Sequence, residues 1–266
     1  MPHQIAFPMY DLHRADSEAL VRAVQTLLVK RGWSADSLLP VWPQENLFPL
    51  WRSDTLLLSQ TCGFPLVTQL PQVQVVGAFH YSAPGCTGAR YRSFLVVRRE
   101  DRQQHLADFR GRRVVCNSVD SQSGYNVLLR MIAPLATDGR FFSQVVLSGS
   151  HRQSLIELQK GTADIAAIDC ISWALLERHQ PALLAGLVII EQSPQAPGLP
   201  LITARQTSAQ TLALLRDVLH ELVSAPDYRQ VCDALFIQGV GDVSREDYAL
   251  LLDWRNEAAN SGVRQL

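Results

Sequence analysis

Between Arg112 and His179 the sequence switches three times from a short run of branched apolar residues to a helix-spaced segment, and each switch falls on small polar residues. RRVVCN leads into NSVDSQSGYNVLLRMI, where Val127, Leu128, Met131, Ile132 and Leu135 recur at helical spacing. SQVVLSG leads into HRQSLIELQKG, closed by Gly161, and ADIAAID leads directly into SWALLERH. Strand and helix alternating in this way predict an α/β fold on a mainly parallel sheet. In such sheets the carboxyl ends of the strands collect the ligand-binding groups, which places the polar switches at the natural site.

The flanks extend the pattern. IAFPMY predicts a short strand broken by Pro8, and a helix follows with Asp16 as its cap and Leu20, Val21, Val24, Leu27 and Leu28 on one face. TLLLSQ, QVVGAFHYS and RSFLVVRR are further strand candidates, and Leu106–Gly111 is turn-like. After the strand and Pro/Gly-rich crossing of LVIIEQSPQAPGLPLITA the chain reads as nearly all helix, with Ser208–Ser224, Asp227–Leu235 and a last helix signalled by Ser244 and Asp247. The simplest organisation is two lobes, residues 1–98 with 194–266 making the first and 99–193 the second.

Composition narrows the function. The 266 residues are 47% apolar and 18% charged with a net charge of -1, so a large core is affordable and no basic footprint points to nucleic acid. No apolar run is long enough to insert in a membrane, and the N-terminal segment shows no secretory signal. Cys62, Cys86, Cys116, Cys170 and Cys232 are scattered without ligand spacing, which predicts neither a zinc site nor a disulfide framework. Most are expected as small buried hydrophobes.

Serines and a glycine ahead of a helix present hydroxyls and unpaired amides at the positive end of the helix dipole, a ready place for an anion. Ser121, Ser123 and Gly124 have that setting, and so do Ser148, Ser150 and His151 some thirty residues later. A plain N-cap role is the competing reading for the serines, as it is for Asp169 at the end of ADIAAID. A nucleophile elbow needs glycines flanking its serine, and Val119 and Ser121 occupy those positions around the candidates. A triad of serine, His151 or His179, and Asp169 can be assembled only on paper. Phosphate-loop, dinucleotide and zinc-protease motifs are absent from the sequence.

YRSFLVVRRED, then LADFRGRRVVCNSVDSQSGYNVLLR, LSGSHRQSLIELQKGTADIAAID and VIIEQSPQAPGLPLITA follow one another in an order that resembles the phosphate/phosphite/phosphonate substrate-binding proteins of ABC transporters. The likeness runs from Tyr91 to Ala204, and SxSGY, GSH and GxADIAAID together carry it. It implies a type 2 periplasmic-binding-protein fold: two α/β lobes, a two-stranded hinge and a ligand cleft that closes. It implies that Ser121, Ser123, Gly124 and Tyr125 form the anion-binding helix start, that His151 donates to the oxyanion and that Asp169 lines the cleft. Tyr10 and the turn of Thr61, Cys62 and Gly63 would face them from the first lobe. Tyr91, near the crossing, is read either as a core or rim residue or as a ligand contact.

The implied function is non-catalytic: a monomer that binds phosphate, phosphite or a phosphonate without metal or cofactor and hands it to an ABC permease. The implied compartment is the periplasm, with the cytoplasm as the alternative because no signal is visible. A cytosolic sensor or biosynthetic enzyme on the same fold, binding a small organic acid, is the second reading. A serine hydrolase using Ser121 or Ser123 is the third.

Overall fold

The computed structural model describes residues 2–43 and 46–266. The chain opens with β1 (His3–Ala6), which ends ahead of Pro8, and α1 (Arg14–Lys30), which buries the apolar face expected of it. His13 rather than Asp16 occupies the cap position of α1, and Asp16 lies in the first turn. β2 (Leu38–Pro40) and the short α2 (Phe48–Trp51) precede β3 (Leu56–Gln60), whose five residues are all buried. α3 (Gly63–Thr68), β4 (Gln74–Tyr81), β5 (Arg90–Tyr91) and β6 (Ser93–Arg98) follow.

The three expected strand-to-helix switches all form. β7 (Arg113–Cys116) runs through a π-type turn, Gln122–Asn126, into α4 (Val127–Ile132). β8 (Gln144–Leu147) precedes α5 (His151–Gln159), and β9 (Ile165–Asp169) abuts α6 (Cys170–His179). The chain closes with β10 (Leu187–Gln192), β11 (Ala196–Pro197), β12 (Pro200–Thr203), α7 (Ala209–Ser224), α8 (Arg229–Ala234), β13 (Ile237–Gly241) and α9 (Ala249–Asn260). β5 and β11, two residues each, pair with one another. No helix among the described residues is long and apolar enough to cross a membrane.

Two compact units result. The first holds the chain up to Ser82, Thr87–Arg90 and Pro197–Tyr248; the second holds Ala83–Cys86, Tyr91–Ala196 and Ala249–Leu266. The sequence placed the boundaries at 98 and 194, and the observed ones differ for a reason that pattern alone does not carry. β6 is apolar enough to sit in the middle of any sheet, and it is inserted between β10 and β9, antiparallel to both, in the second unit. α9 likewise packs on α4 rather than on the first unit's helices.

In the first unit the sheet order is β13-β4-β12-β3-β1-β2, parallel where β1 meets β2 and β3 and antiparallel from β12 outward. α7 covers β4 and β13 and packs with α1 and α8. Arg245 closes the end of the α3 segment by donating to the carbonyls of Leu66 (2.6 Å), Leu70 (2.9 Å) and Val73 (2.8 Å), so its charge meets carbonyls left open at a helix end. The strand β13 corrects the expectation that the chain is nearly all helix after residue 204. Its IQGVG sequence has two β-branched residues interrupted by two glycines, which weaken the strand signal, and the edge of β4 supplies the hydrogen-bonding partner.

The second sheet has the order β10-β6-β9-β7-β8. β9, β7 and β8 are parallel, as the strand-helix alternation requires, while β6 and β10 add an antiparallel half, so the sheet is mixed rather than mainly parallel. Its amino end is locked by Asp164. Burial by itself would raise this carboxyl, but Arg113 donates to it from Nη2 (2.9 Å), Nε (3.1 Å) and the backbone (3.0 Å), Arg98 donates at 2.9 Å, and together they hold it well below the usual carboxylate range. The carboxyl ends of β7, β8 and β9 are thereby fixed at the opposite edge.

Candidate functional site

The loops that leave β7 and β8 are zipped together before either helix begins. Ser148 N donates to Cys116 O and Gly149 N to Asn117 O, both at 2.9 Å, prolonging the β7–β8 ladder by two rungs. Ser121 caps the first helical run, its Oγ accepting from Gly124 N at 3.0 Å, and Ser150 caps α5, accepting from Gln153 N at 3.1 Å. Asn126 donates from Nδ2 to the carbonyls of Val119 (3.2 Å) and Ser121 (3.0 Å), pinning the loop to the turn it enters. The capping reading therefore holds for Ser121.

Ser123 is left one turn inside, and it meets His151. Its Oγ lies 2.8 Å from His151 Nε2, across 28 residues of sequence. The wide turn at Gln122–Asn126, closed by Asn126 N to Ser121 O at 3.0 Å, shapes this stretch, and such turns recur at functional sites. Ser93 supports it from β6: its hydroxyl donates to Ser123 O at 2.8 Å, while its own amide donates to Ser193 Oγ at 2.8 Å. Gly124 permits a close approach. A Cβ built there would stand 1.9 Å from Asn117 Oδ1, so the helix start and the β7 loop touch only because no side chain intervenes.

Electrostatically the cluster is neutral and donor-rich. Burial pushes the His151 imidazole down to about 4, so near neutral pH it carries a single ring proton. When that proton is on Nε2 it is donated to Ser123 Oγ, and the hydroxyl hydrogen is free to point at a guest. When it is on Nδ1, Nε2 accepts from the hydroxyl instead. An oxyanion beside Ser123 selects the first arrangement, because only then does the hydroxyl donate outward. The start of α5 adds the positive end of its helix dipole beside this contact.

The other residues expected at the site are placed as follows. Asp169 is 2% exposed and caps α6, Oδ1 accepting from Ile171 N (2.8 Å) and Ser172 N (3.0 Å), which matches its capping reading; it faces Ser93 in the β6–β9 ladder. Tyr125 directs its hydroxyl to the C-terminal segment, where it accepts from Leu266 N at 3.3 Å. Tyr91 is buried and borders a small gap behind Ser123 with Ser93, Gln122 and Ser193. A roomier hollow of about 800 Å³, lined by Arg92, His105, Met131, Leu135 and Glu191 among others, includes neither Ser123 nor His151.

In the first unit, Thr61, Cys62 and Gly63 follow the carboxyl end of β3 and open α3. Thr61 is fully buried, with its amide donating to Pro200 O at 3.0 Å. Tyr10 is buried too, edge-on to Tyr81 at 5.3 Å and beside Gln60 and Phe79. Sequence reasoning missed Ser93 and Ser193, which support the Ser123 backbone, and Asn117, whose carbonyl ties the β7 loop to Gly149. Asn117 opens the NSVDSQSGY turn and could have been found there, but nothing in the sequence pairs residue 93 with residues 123 and 193.

A family model for ABC transporter, phosphonate, periplasmic substrate-binding proteins matches residues 58–248, a range that includes every expected site residue except Tyr10. The chain belongs to this family. Solved structures share its type 2 periplasmic-binding-protein fold at low identity. A binding protein component of an ABC phosphonate transporter from Pseudomonas aeruginosa aligns with a TM-score of 0.79 at 15% identity, covering 98% of this chain and 88% of that one. PhnD1 from Prochlorococcus marinus, in complex with methylphosphonate, gives 0.77 at 14%, covering 97% and 98%. A protein from Xanthomonas citri bound to ATP gives 0.72 at 13%, also covering 97% and 98%. No curated protein sequence matches the chain.

Proposed function

We propose that the protein is a non-catalytic, monomeric solute-binding protein that holds a small phosphorus oxyanion at Ser123 and His151 and delivers it to the permease of an ABC transporter in the periplasm. The carrying observation is the 2.8 Å contact between Ser123 Oγ and His151 Nε2, which brings two helix starts to one point. Hydroxyl, neutral imidazole and helix-start amides suit a tetrahedral oxyanion, since each donates one hydrogen bond in a different direction. Val119 and Leu147, each 56% exposed, stand at the same carboxyl edge and favour a ligand with a carbon substituent, so phosphonates rank ahead of phosphite and phosphate. The phosphonate-binding relatives agree with that order.

The same Ser–His contact is also the geometry of a nucleophile and its base, which gives the hydrolase reading one observation in its favour. Against it, His151 Nδ1 has no hydrogen-bond partner among the described residues to orient the ring, and the Asp169 carboxylate is engaged in capping α6. Isothermal titration with methylphosphonate, 2-aminoethylphosphonate, phosphite, phosphate and acetate tests the proposal. The phosphonates should bind, and Ser123→Ala should weaken them by about 10- to 100-fold, the worth of one hydrogen bond to a charged group. Heat from none of the phosphorus oxyanions, or affinity unchanged in Ser123→Ala, would overturn it. Covalent labelling of Ser123 by a fluorophosphonate probe would replace it with the hydrolase.

A further inference from the structure

Two of the five thiols that the sequence scatters along the chain meet in the second unit. Cys86 Sγ lies 3.5 Å from Cys170 Sγ, across 84 residues. Cys170 is the first residue of α6, directly after Asp169, and is fully buried; Cys86 is only half-buried and sits in the turn that Cys86 N closes onto Ala83 O at 3.1 Å. The backbone is seated closely there. A Cβ on Gly85 would come within 3.1 Å of Cys170 Cβ and 3.2 Å of its sulfur, so the Ala83–Cys86 segment rests directly on the start of α6. Cys62, Cys116 and Cys232 are all buried, and burial pushes Cys116 up to about 12 and Cys232 up to about 11; Cys170 is pushed up as well, by its contact with Cys86 and by burial, so the half-buried Cys86 is the thiol that can start an exchange.

We propose that Cys86 and Cys170 are a redox-active pair that closes to an intramolecular disulfide in an oxidising compartment, fastening the Ala83–Cys86 segment to the first residue of α6. The sulfurs need to approach from 3.5 Å to the ~2.05 Å of a bond, a movement within reach of side-chain rotation. The reaction is thiol–disulfide exchange with a small-molecule or protein disulfide. The half-exposed Cys86, as thiolate, attacks one sulfur of glutathione disulfide, forming a mixed disulfide and releasing one glutathione thiolate. That thiolate takes the proton of Cys170, whose sulfur then attacks Cys86 Sγ and expels the second glutathione. Two protein thiols and one glutathione disulfide thus become one protein disulfide and two glutathiones. The family's periplasmic setting is where such a bond persists, and the pair stands independently of the ligand proposed above.

The full chain, reduced and then equilibrated with excess glutathione disulfide, should lose two hydrogens in mass. After proteolysis it should yield one linked peptide pair containing Cys86 and Cys170. The oxidised protein should melt several degrees above the reduced one, because the bond closes a long loop. Cys86→Ser and Cys170→Ser should each abolish both changes, while Cys62→Ser should keep them. The mapping needs no variant, so a misfolded mutant does not remove the test. Complete alkylation of Cys86 and Cys170 after oxidation, or a stable glutathione adduct on Cys86 with no linked peptide, would overturn the proposal.

Discussion

Lowering the pH should unfold this protein partly through one residue. His151 begins to accept a proton near 6.5 in the unfolded chain but only at about 4 in the native one, because burial disfavours the imidazolium. Between those values the unfolded state binds a proton that the native state does not. Stability is therefore unaffected by this group above about pH 6.5, falls as the pH drops below it, and levels off near 4. The gap of about 2.5 units, at 1.36 kcal/mol each, corresponds to ~3 kcal/mol. The side chain is not wholly enclosed, and solvent screening reduces this to ~2 kcal/mol, still a sizeable part of the roughly 5–15 kcal/mol typical of a folded domain. Urea unfolding of wild type and His151→Gln at about pH 7 and about pH 4 isolates the effect, since glutamine keeps a neutral hydrogen-bonding group beside Ser123 but cannot titrate. Wild type should lose ~2 kcal/mol more than the variant on acidification. Parallel losses in the two proteins, or an imidazole titrating near 6.5 by NMR in the native state, would refute the burial argument.

Gly124→Ala should weaken phosphonate binding by less than about tenfold, because the added methyl meets the end of the Asn117 side chain, whose Oδ1 holds no hydrogen bond among the described residues and can swing aside; a larger loss by titration would show that the Asn117 carboxamide is held in place. Asp164→Ala should cost ~3 kcal/mol in urea unfolding by leaving Arg98 and Arg113 without their shared partner, and should leave affinity unaltered because this clamp lies at the other end of the sheet from Ser123.

The second unit's parallel strands were readable because their signals are local: VVC, VVL and IAAID are each followed by a polar switch and helix-spaced apolar residues. The contact of Ser123 with His151 follows from that, since β7 and β8 are neighbours in register, Cys116 opposite Leu147, and two helix starts on adjacent strands must lie side by side. What escaped was decided by distant partners. β6 looks the same from sequence whichever sheet receives it, and β13 becomes a strand only because β4 offers an edge. Tyr125 belongs to a recognisable motif, but its hydroxyl direction is set by Leu266, far away in the chain. The meeting of Cys86 with Cys170 is of the same kind: β5 and β6 could be assigned locally without ever revealing that the turn before them rests on the start of α6, after β9.

The position of α9 bears on how the chain is made. α4, which continues the Ser123 turn, is covered by Ala249–Asn260, and Arg130 on α4 pairs with Glu257 on α9. During vectorial synthesis the polypeptide bearing Ser123 and His151 emerges long before that cover does. The first unit waits as well, because β13 is needed to flank β4. Neither half can reach its final packing until translation has passed most of the message, so a stall in its last part should leave both open to proteases together rather than one finished and one nascent.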